Sequence, residues 1–255
     1  MEHDFTALNK VKQFGYRARI YGHYATYNPV ATAPRAVDGF ARMLSASRHR
    51  LQKWLPVDRG AKCLDLGCGS GHVLAILGQQ GYNNVTGIDI SPEQVQLAKQ
   101  VCTDVFEADA IDFLLAHPSE YDFITGYDIV EHFTKDELFE FLDASYGALR
   151  PGGRIVLQTP NAECPWGMAV RYGDLTHELA FSPQSLANVL GLVGFGNFEA
   201  RECGPFVHGL NSFFRSLIWE MIRSGLLLWN LAECGSMGSG IYTRVFIAKA
   251  DKAFR

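Results

Sequence analysis

The chain has 255 residues, of which 47% are hydrophobic and 20% are charged. This composition supplies a substantial core and excludes global disorder, and the length allows one large domain with an appendage. The net charge of −4 argues against broad electrostatic capture of long nucleic acid or of an anionic membrane. A local basic patch is compatible with that net charge.

The cysteines are scattered along the chain, and none of them forms a C-x-x-C pair. We expect all six to be buried, reduced thiols, as in a cytoplasmic protein. The chain opens on polar and acidic residues without the apolar core of a signal peptide, which favours the same compartment. The six residues are Cys63, Cys68, Cys102, Cys164, Cys203 and Cys234.

Short apolar strands alternate with helical segments from residue 61 onward. This alternation predicts an α/β fold with a parallel, doubly wound, Rossmann-like sheet, preceded by a helical cap over residues 1–60. Ser91-x-x-Gln94 and Thr134-x-x-Glu137 have the spacing of helix capping boxes. The predicted strands are 63–66, 85–90, 105–106, 121–127, 154–159, 198–201 and 242–250.

The most apolar segment, residues 213–231, lies in a predicted helical insertion at about 204–240. Arg215, Glu220 and Arg223 interrupt it. Because three charges within a window of about 20 residues make a bilayer span costly, we expect an amphipathic helix and no transmembrane span. A core helix, an oligomer contact, a lid and a peripheral membrane contact are all compatible with this pattern.

A glycine-rich turn follows the first strand, with the sequence Asp65-x-Gly67-x-Gly69-x-Gly71. Glycines permit a tight turn and close approach of the backbone to a ligand, but the spacing departs from the dinucleotide fingerprint G-x-G-x-x-G. The carboxylate of Asp65 suits an ammonium group better than a pyrophosphate, and Asp89 ends the next strand, where it can bind ribose hydroxyls. S-adenosylmethionine fits such a site, whereas NAD fits it poorly.

The ordered motifs of the chain resemble those of class I S-adenosylmethionine-dependent methyltransferases over roughly residues 62–198. The resemblance implies a seven-stranded sheet whose last strand runs antiparallel. It also implies that Asp109 and Ala110 bind adenine, and an ordinary helix N-cap is the alternative role for Asp109. The expected cofactor-binding residues are Asp65, Gly67, Cys68, Gly69, Gly71, Asp89, Ile90, Asp109, Ala110 and Tyr127.

A second group of polar residues follows the fourth strand. Asp128, Glu131 and His132 have the i, i+3, i+4 spacing of one helical face, and His177 lies in the loop after the fifth strand. Both segments open onto the edge of the sheet at which a doubly wound fold binds its ligands. We therefore expect these four residues to surround one point.

Three interpretations of this group remain open. The Glu-His pair is structural, as in some ubiquinone-pathway O-methyltransferases that it resembles, or His132 or His177 is the catalytic base. In the third, Asp128, Glu131, His132 and His177 bind a divalent metal such as Mn²⁺ or Mg²⁺. A similar acid-x-x-Glu-His motif, with a later His after a Thr-Pro-Asn turn, occurs in the small-RNA 2′-O-methyltransferases.

The acceptor is the least constrained part of the prediction. A metal would activate a hydroxyl, and a vicinal diol can chelate it with two oxygens. Because residues 204–240 loosely resemble methyltransferases of bacterial surface-glycan pathways, we expect O-methylation of a sugar, a nucleotide-linked sugar or a glycan-linked group. A quinone-type small molecule is the alternative, and a non-catalytic S-adenosylmethionine-binding module is the alternative of another class. The N-terminal tyrosines are expected to close the site or to pack on the domain: Tyr16, Tyr21, Tyr24 and Tyr27.

Overall fold

The computed structural model describes residues 15–27 and 37–254. In this part of the chain seven strands form one sheet with the order β3-β2-β1-β4-β5-β7-β6, and β7 is antiparallel to both of its neighbours. The predicted seven-stranded sheet with an antiparallel last strand is therefore confirmed. The strands are β1 (Cys63–Leu66), β2 (Val85–Asp89), β3 (Val105–Glu107), β4 (Tyr121–Tyr127), β5 (Leu149–Pro160), β6 (Gly196–Glu202) and β7 (Val245–Asp251).

Helices cover both faces of the sheet. The cluster on one face includes side chains of α6, α7 and α9, and the cluster on the other face includes side chains of α3, α4 and α5. The sheet is thus buried between two helical layers, as a doubly wound fold requires. The helices are α1 (Tyr16–Tyr21), α2 (Tyr24–Tyr27), α3 (Val37–Leu51), α4 (His72–Gln79), α5 (Pro92–Ala98), α6 (Ala110–Ala116), α7 (Lys135–Ala148), α8 (Gly167–Arg171), α9 (Pro183–Val193) and α10 (Leu210–Cys234).

The two predicted capping boxes have different outcomes. Thr134 accepts from the backbone of Glu137 and the Glu137 side chain accepts from the backbone of Thr134, so the box at the start of α7 is confirmed. At the start of α5, Pro92 is the first helical residue, but the Ser91 hydroxyl makes no capping hydrogen bond. That box is wrong because the N–H of Ser91 donates to Oδ1 of Asp89, while Ser91 Oγ and Gln94 Oε1 are buried without a hydrogen-bond partner.

The long helix α10 is not a core helix. Its one buried residue is Ser212, and most of its large apolar side chains are exposed. Cys234, at the end of α10, is exposed as well, so the expectation that all six cysteines are buried is wrong at that position. No helix in the described part of the chain is long and apolar enough to cross a membrane.

The N-terminal helices lie partly outside the described residues. Segments 1–14 and 28–36 fall outside them, and so does the side chain of Tyr27, which was one of the four expected cap tyrosines. The other three expected cap tyrosines lie in α1 and α2, which precede the strands of the sheet in the sequence. Their contacts with the rest of the protein are given with the site.

Candidate active site

The glycine turn after β1 adopts the left-handed backbone that its sequence predicts. The φ angles of Gly67, Gly69 and Gly71 are 62°, 51° and 87°. A Cβ at Gly71 would lie 3.3 Å from the Cα of Ala98, so this glycine permits close packing of α4 against α5. A Cβ at Gly69 would meet nothing nearer than Gln94 Oε1 at 4.0 Å, which leaves this side of the turn open to a ligand.

Asp89, at the end of β2, is held by two backbone donors. Its Oδ2 accepts from the N–H of Gly69 at 2.9 Å and its Oδ1 accepts from the N–H of Ser91 at 2.8 Å. Burial raises the pKa of this carboxyl, while both hydrogen bonds oppose that rise. Each carboxylate oxygen has a second lone-pair direction, so the oriented group can still accept from two neighbouring hydroxyls.

Asp65 is fully buried at the end of β1, where its Oδ1 accepts from the Thr125 hydroxyl at 2.7 Å. Burial raises the pKa of Asp65 to about 7, with the nearby Asp89 adding to the rise. Around this edge, Ser91 Oγ, Gln94 Oε1 and Tyr127 Oη are buried without a hydrogen-bond partner in the protein. Unsatisfied buried polar atoms beside an open glycine turn are the expected surroundings of a polar ligand such as S-adenosylmethionine.

The remaining predicted cofactor residues lie near the same edge. Asp109 is the N-cap of α6, because its Oδ1 accepts from the N–H groups of Ile111 at 2.9 Å and Asp112 at 3.2 Å. Ala110 begins that helix, and Ile90, directly after Asp89, is 49% exposed. Cys68 has a buried thiol, and its N–H donates to the carbonyl of Ile88 in the turn. Their contacts with the cofactor stay predictions.

The expected common helical face of Asp128, Glu131 and His132 is wrong. Only Val130–His132 form a helical turn, which is of the 3-10 type, and Asp128 precedes it with a left-handed φ of 53°. The exposed Asp128 carboxylate accepts instead from Nε2 of Gln158 at 3.0 Å. Asp128 is consequently not part of the candidate ligand group that the structure forms.

Glu131 is completely buried, and only one of its carboxylate oxygens has a donor. Its Oε2 accepts from the hydroxyl of Thr159 at 3.0 Å, whereas its Oε1 has no hydrogen-bond partner. Burial, followed by the negative charge of Asp128, holds the pKa of Glu131 well above its ordinary value. The backbone around it is fixed, because the carbonyl of Glu131 accepts from the N–H groups of Glu178 and Leu179 at 2.7 and 2.9 Å.

The proton of neutral His132 is assigned to Nδ1 by its hydrogen bonds. Thr176 donates its hydroxyl proton to Oδ1 of Asp174 at 2.6 Å, so Thr176 Oγ1 must accept from His132 Nδ1 at 2.9 Å. Burial and the adjacent His177 lower the pKa of His132 to about 4. At neutral pH the ring therefore carries a lone pair on Nε2.

The imidazole of His177 has the same tautomer as that of His132. Its Nδ1 lies 3.2 Å from the carbonyl oxygen of Val170, which can only accept, so a neutral His177 also carries its lone pair on Nε2. That Nε2 lies 4.0 Å from Oε1 of Glu131, and the two imidazole ring centres are 4.8 Å apart. The loop after β5 thus brings His177 to the end of β4, as the sequence predicted.

Glu131, His132 and His177 offer one ligand atom each, and these three atoms lie within 4.8 Å of one another. Ligating histidines in proteins commonly donate their other ring N–H to a carbonyl or a hydrogen-bonded network, as both do here. One carboxylate oxygen and two imidazole lone pairs form a donor set that fits Mn²⁺, Fe²⁺, Co²⁺ or Zn²⁺. The same lone pairs can accept a proton from a substrate.

The N-terminal helices cover this cluster. Arg17 forms an ion pair with Glu137 at 2.7 Å and donates to the carbonyl of His132 at 2.8 Å. Tyr24 donates to Asp174 at 3.0 Å, Tyr16 donates to Glu178, and the ring centre of Tyr21 lies 6.3 Å from that of His132. No spacing in the sequence indicates Thr176, Asp174 or Arg17, which orient the cluster across long sequence separations. The one available hint was that Thr176 directly precedes His177.

Comparisons with known proteins agree with this geometry. A family described as a methyltransferase domain matches residues 38–200. The S-adenosyl-L-methionine-dependent Diels-Alderase iccD of Talaromyces variabilis is 30% identical over 154 residues, which are 55% of this chain and 51% of that protein. The ubiquinone biosynthesis O-methyltransferase of Xylella fastidiosa (strain 9a5c) is 34% identical over 118 residues, which are 44% of this chain and 46% of that protein.

These matches span about half the length of the curated relatives. Among solved structures, a SAM-dependent methyltransferase from Archaeoglobus fulgidus superposes with a TM-score of 0.61 at 22% sequence identity. The superposition covers 82% of this chain and 94% of that chain. At this identity the likeness shows the fold, and the family match covers the strands and helices that carry the candidate site.

Proposed function

This chain belongs to the class I S-adenosylmethionine-dependent methyltransferases, and we propose that it methylates a hydroxyl oxygen of a small molecule. The observation that carries the proposal is the cluster of Glu131, His132 and His177 at the sheet edge that also holds Asp65 and Asp89. A cofactor site and a group of proton-accepting or metal-binding side chains thus lie on neighbouring strand ends.

The cofactor would be held by the residues around the glycine turn. Asp89 would accept from the ribose hydroxyls, Asp65 would face the ammonium group, and Gly69 would allow the backbone to approach. When bound, S-adenosylmethionine supplies a methyl group already activated by its sulfonium. The remaining task of the protein is to orient the acceptor oxygen and to receive its proton.

The cluster can serve that task in two ways. A divalent metal would be held by Oε1 of Glu131 and by Nε2 of His132 and of His177, and when bound it lowers the pKa of a hydroxyl. Alternatively, Nε2 of His132 or of His177 accepts the hydroxyl proton directly. With S-adenosylmethionine bound, the acceptor oxygen would form the new bond to the methyl carbon as the carbon–sulfur bond breaks and the neutral thioether leaves. The hydroxyl proton would pass to a histidine Nε2 in the metal-free case and to solvent in the metal case.

The acceptor that the relatives favour differs from the one expected first. The sequence interpretation placed a sugar, nucleotide-linked sugar or glycan-linked hydroxyl ahead of a quinone-type acceptor. The name of the bacterial relative refers to ubiquinone biosynthesis, and no relative named here refers to a sugar. We therefore propose a phenolic or quinol-type acceptor, in which two adjacent hydroxyls offer two oxygens to the cluster.

The fungal relative supports a second candidate function. Its name describes an S-adenosyl-L-methionine-dependent Diels-Alderase, not a methyltransferase. A chain of this family could bind the cofactor and act without methyl transfer. The division into a cap of residues 1–60 and a cofactor-binding domain of residues 61–255 and the cytoplasmic compartment are further parts of the proposal. For residues 209–232 the sequence left self-association and a peripheral membrane contact open as alternatives.

An acceptor screen with methyl-labelled S-adenosylmethionine tests this function. The full chain is incubated with Mn²⁺ and either a catechol-type diol or a nucleotide-linked sugar, and products are identified by mass spectrometry. We expect the labelled methyl group on a phenolic oxygen, with little product from Glu131→Gln. Transfer to nitrogen or carbon, or to the sugar alone, would contradict the proposal. Tight cofactor binding without any labelled product would favour the second candidate.

A further inference from the structure

The helix α10 turns its polar contacts towards the protein and its large apolar side chains towards the solvent. Its inner side is anchored by polar contacts, since Trp219 donates to Glu202 at 3.1 Å and Arg223 donates to the carbonyl of Gly240 at 2.9 Å. Its outer side is apolar over residues 210–222 and again over residues 228–231. The exposed large apolar residues are Leu210, Phe213, Phe214, Leu217, Ile218, Met221, Ile222, Leu228, Trp229 and Leu231.

These side chains form an apolar strip on one face of the helix, interrupted at residues 223–227. They recur at spacings of three and four residues from Leu210 to Ile222 and again from Leu228 to Leu231, and the four charged residues of α10 lie outside both series. Leu210, Met221 and Leu228 are 78%, 67% and 66% exposed. The strip spans residues 210–231, which is about 33 Å, and exceeds the scattered apolar exposure of an ordinary soluble surface.

A cationic cleft of about 570 Å³ adjoins the first half of α10. Arg50, Arg215, Arg244 and His208 line it, and none of its lining residues among those described is acidic. The net charge of the chain is −4, and this cluster is a local basic patch of the kind that such a net charge permits. Like charges gathered in one cleft repel, so an anion that enters it is favoured.

Two of the arginines are available to such an anion. Arg50 donates to the carbonyls of Cys203 and Gly204 at 3.2 and 3.3 Å, which fixes its position. Arg215 and Arg244 are exposed, and in the described part of the chain neither has an ion-pair partner. Guanidinium groups bind phosphate oxygens in a bidentate manner and are the preferred side chains for that purpose.

The cleft meets the edge of the apolar strip at Arg215, which lines the cleft and lies one turn from Ile218 on α10, whereas Ser212 and Trp219 line the cleft from the inner side of the helix. We infer that the surface formed by the strip and the cleft docks on an anionic lipid bilayer, with the apolar face of α10 at the acyl boundary and a lipid phosphate in the cleft. An apolar helix face flanked by cations has the composition of an interfacial helix, and each arginine adds attraction to anionic headgroups.

A second copy of the chain would satisfy this surface less well. Both acids of α10 are already engaged within the helix, Glu220 with Arg223 at 3.3 Å and Glu233 with Trp229 at 2.7 Å. A contact between two α10 helices would therefore cover the apolar strip but offer Arg215 no carboxylate from the partner helix. Charge complementarity favours the lipid surface.

The surface also lies beside the candidate active site. Cys203 lines the cleft, and its Sγ lies 3.9 Å from Oε1 of Gln158, whose amide donates to Asp128. Docking would consequently bring the carboxyl edge of the sheet close to the bilayer. The inference does not depend on the proposed O-methylation, since lipid binding is measured without any acceptor.

Vesicle co-sedimentation of the full chain tests the inference. Vesicles of phosphatidylcholine are compared with vesicles that also contain phosphatidylglycerol. We expect wild-type protein to bind the anionic vesicles, and Arg215→Gln/Arg244→Gln to bind them at least about tenfold more weakly. Met221→Gln/Leu228→Gln, which changes two exposed side chains, should also lose binding while keeping its melting temperature. Lys99→Gln/Lys135→Gln removes two exposed charges elsewhere and should bind like wild type.

The results that would contradict the lipid-docking inference can be told apart from one another. Equal binding to both vesicle types, or anionic binding unchanged in Arg215→Gln/Arg244→Gln, would overturn the phosphate role of the cleft. A lipid-free dimer by light scattering that dissociates in Met221→Gln/Leu228→Gln, without vesicle binding, would identify a second copy as the occupant. Saturable binding of inorganic phosphate without vesicle binding would identify a free phosphate as the ligand and would also overturn the inference.

Discussion

The unpaired Oε1 of Glu131 lies 4.0 Å from Nε2 of His177, and the carboxyl group that carries it is completely buried. A buried carboxylate oxygen that accepts no hydrogen bond destabilises the folded protein unless a proton or a cation neutralises the group. Burial and the negative charge of Asp128 raise the pKa of Glu131 well above its ordinary value, which favours the protonated form. A divalent cation between Glu131, His132 and His177 would replace that proton.

Metal removal is the first test of this arrangement. Chelator-treated protein should lose methyl transfer and still bind S-adenosylhomocysteine, because Asp65 and Asp89 lie on other strands, and Mn²⁺ should restore transfer. His177→Ala should lower the metal content measured by elemental analysis without lowering the melting temperature by more than a few degrees. Full activity in chelator would leave His132 or His177 as a metal-free base. Wild-type rates in both His132→Ala and His177→Ala would leave the Glu-His pair structural.

Thr176 should act as a positioning residue for His132. Thr176→Val removes the oxygen that accepts from Nδ1 of His132 and should weaken Mn²⁺ binding by about 10- to 100-fold, whereas Thr176→Ser should bind like wild type. Titration of Mn²⁺ followed by electron paramagnetic resonance measures the affinity. A merely structural threonine would change the melting temperature equally in both variants and leave the affinity of the folded protein unaltered.

The sequence was most informative where structure depends on neighbouring residues. β1 and β4 begin and end where the apolar pattern placed them, and Asp89 ends β2 as expected. The pattern was misleading where a tertiary contact decides the outcome. Asp128 leaves the helical face for a hydrogen bond to Gln158, 30 residues away, and the tautomer of His132 depends on Thr176, 44 residues away. Spacing within one element carries no information about such partners.

The cap should be held over the cluster by Arg17. Arg17→Ala removes the ion pair with Glu137 and the hydrogen bond to the carbonyl of His132, both of which are partly exposed. We expect a loss of stability of at most about 1 kcal/mol but a several-fold rise in the KM for the acceptor. Arg19→Ala, an exposed change in the same helix, is the control. Deletion of residues 1–30 should abolish turnover with the sheet still folded, and full activity after it would refute the cap.

Asp89 should dominate cofactor affinity. Asp89→Ala leaves two ribose hydroxyls without a strong acceptor and frees the N–H groups of Gly69 and Ser91, which should cost roughly 2–3 kcal/mol of binding free energy. Isothermal titration with S-adenosylhomocysteine measures this loss. Asp143→Ala, an exposed position on α7, should bind normally. Unchanged affinity in Asp89→Ala would remove the ribose assignment.

Asp65 should make cofactor binding depend on pH. Its pKa in the free protein is about 7, so its carboxyl is mostly protonated at pH 6 and mostly ionised at pH 8. If the ionised form pairs with the ligand ammonium, the affinity for S-adenosylhomocysteine should rise with pH, by up to about tenfold per unit below pH 7, and then level off.

A ligand without the ammonium group and a variant without the Asp65 charge test whether the pH dependence comes from this ion pair. 5′-Methylthioadenosine lacks the ammonium group, so its affinity should change little between about pH 6 and about pH 8, where Asp65 titrates, and Asp65→Asn should flatten the profile of S-adenosylhomocysteine. The ligand-free protein should respond with the opposite sign. Because burial raises the native pKa above the unfolded value of 3.8, the native state binds more protons, and the Asp65 contribution to stability is lost as the pH rises towards 7. An affinity profile that is flat in wild type, or steep in Asp65→Asn, would show that the ammonium group binds elsewhere.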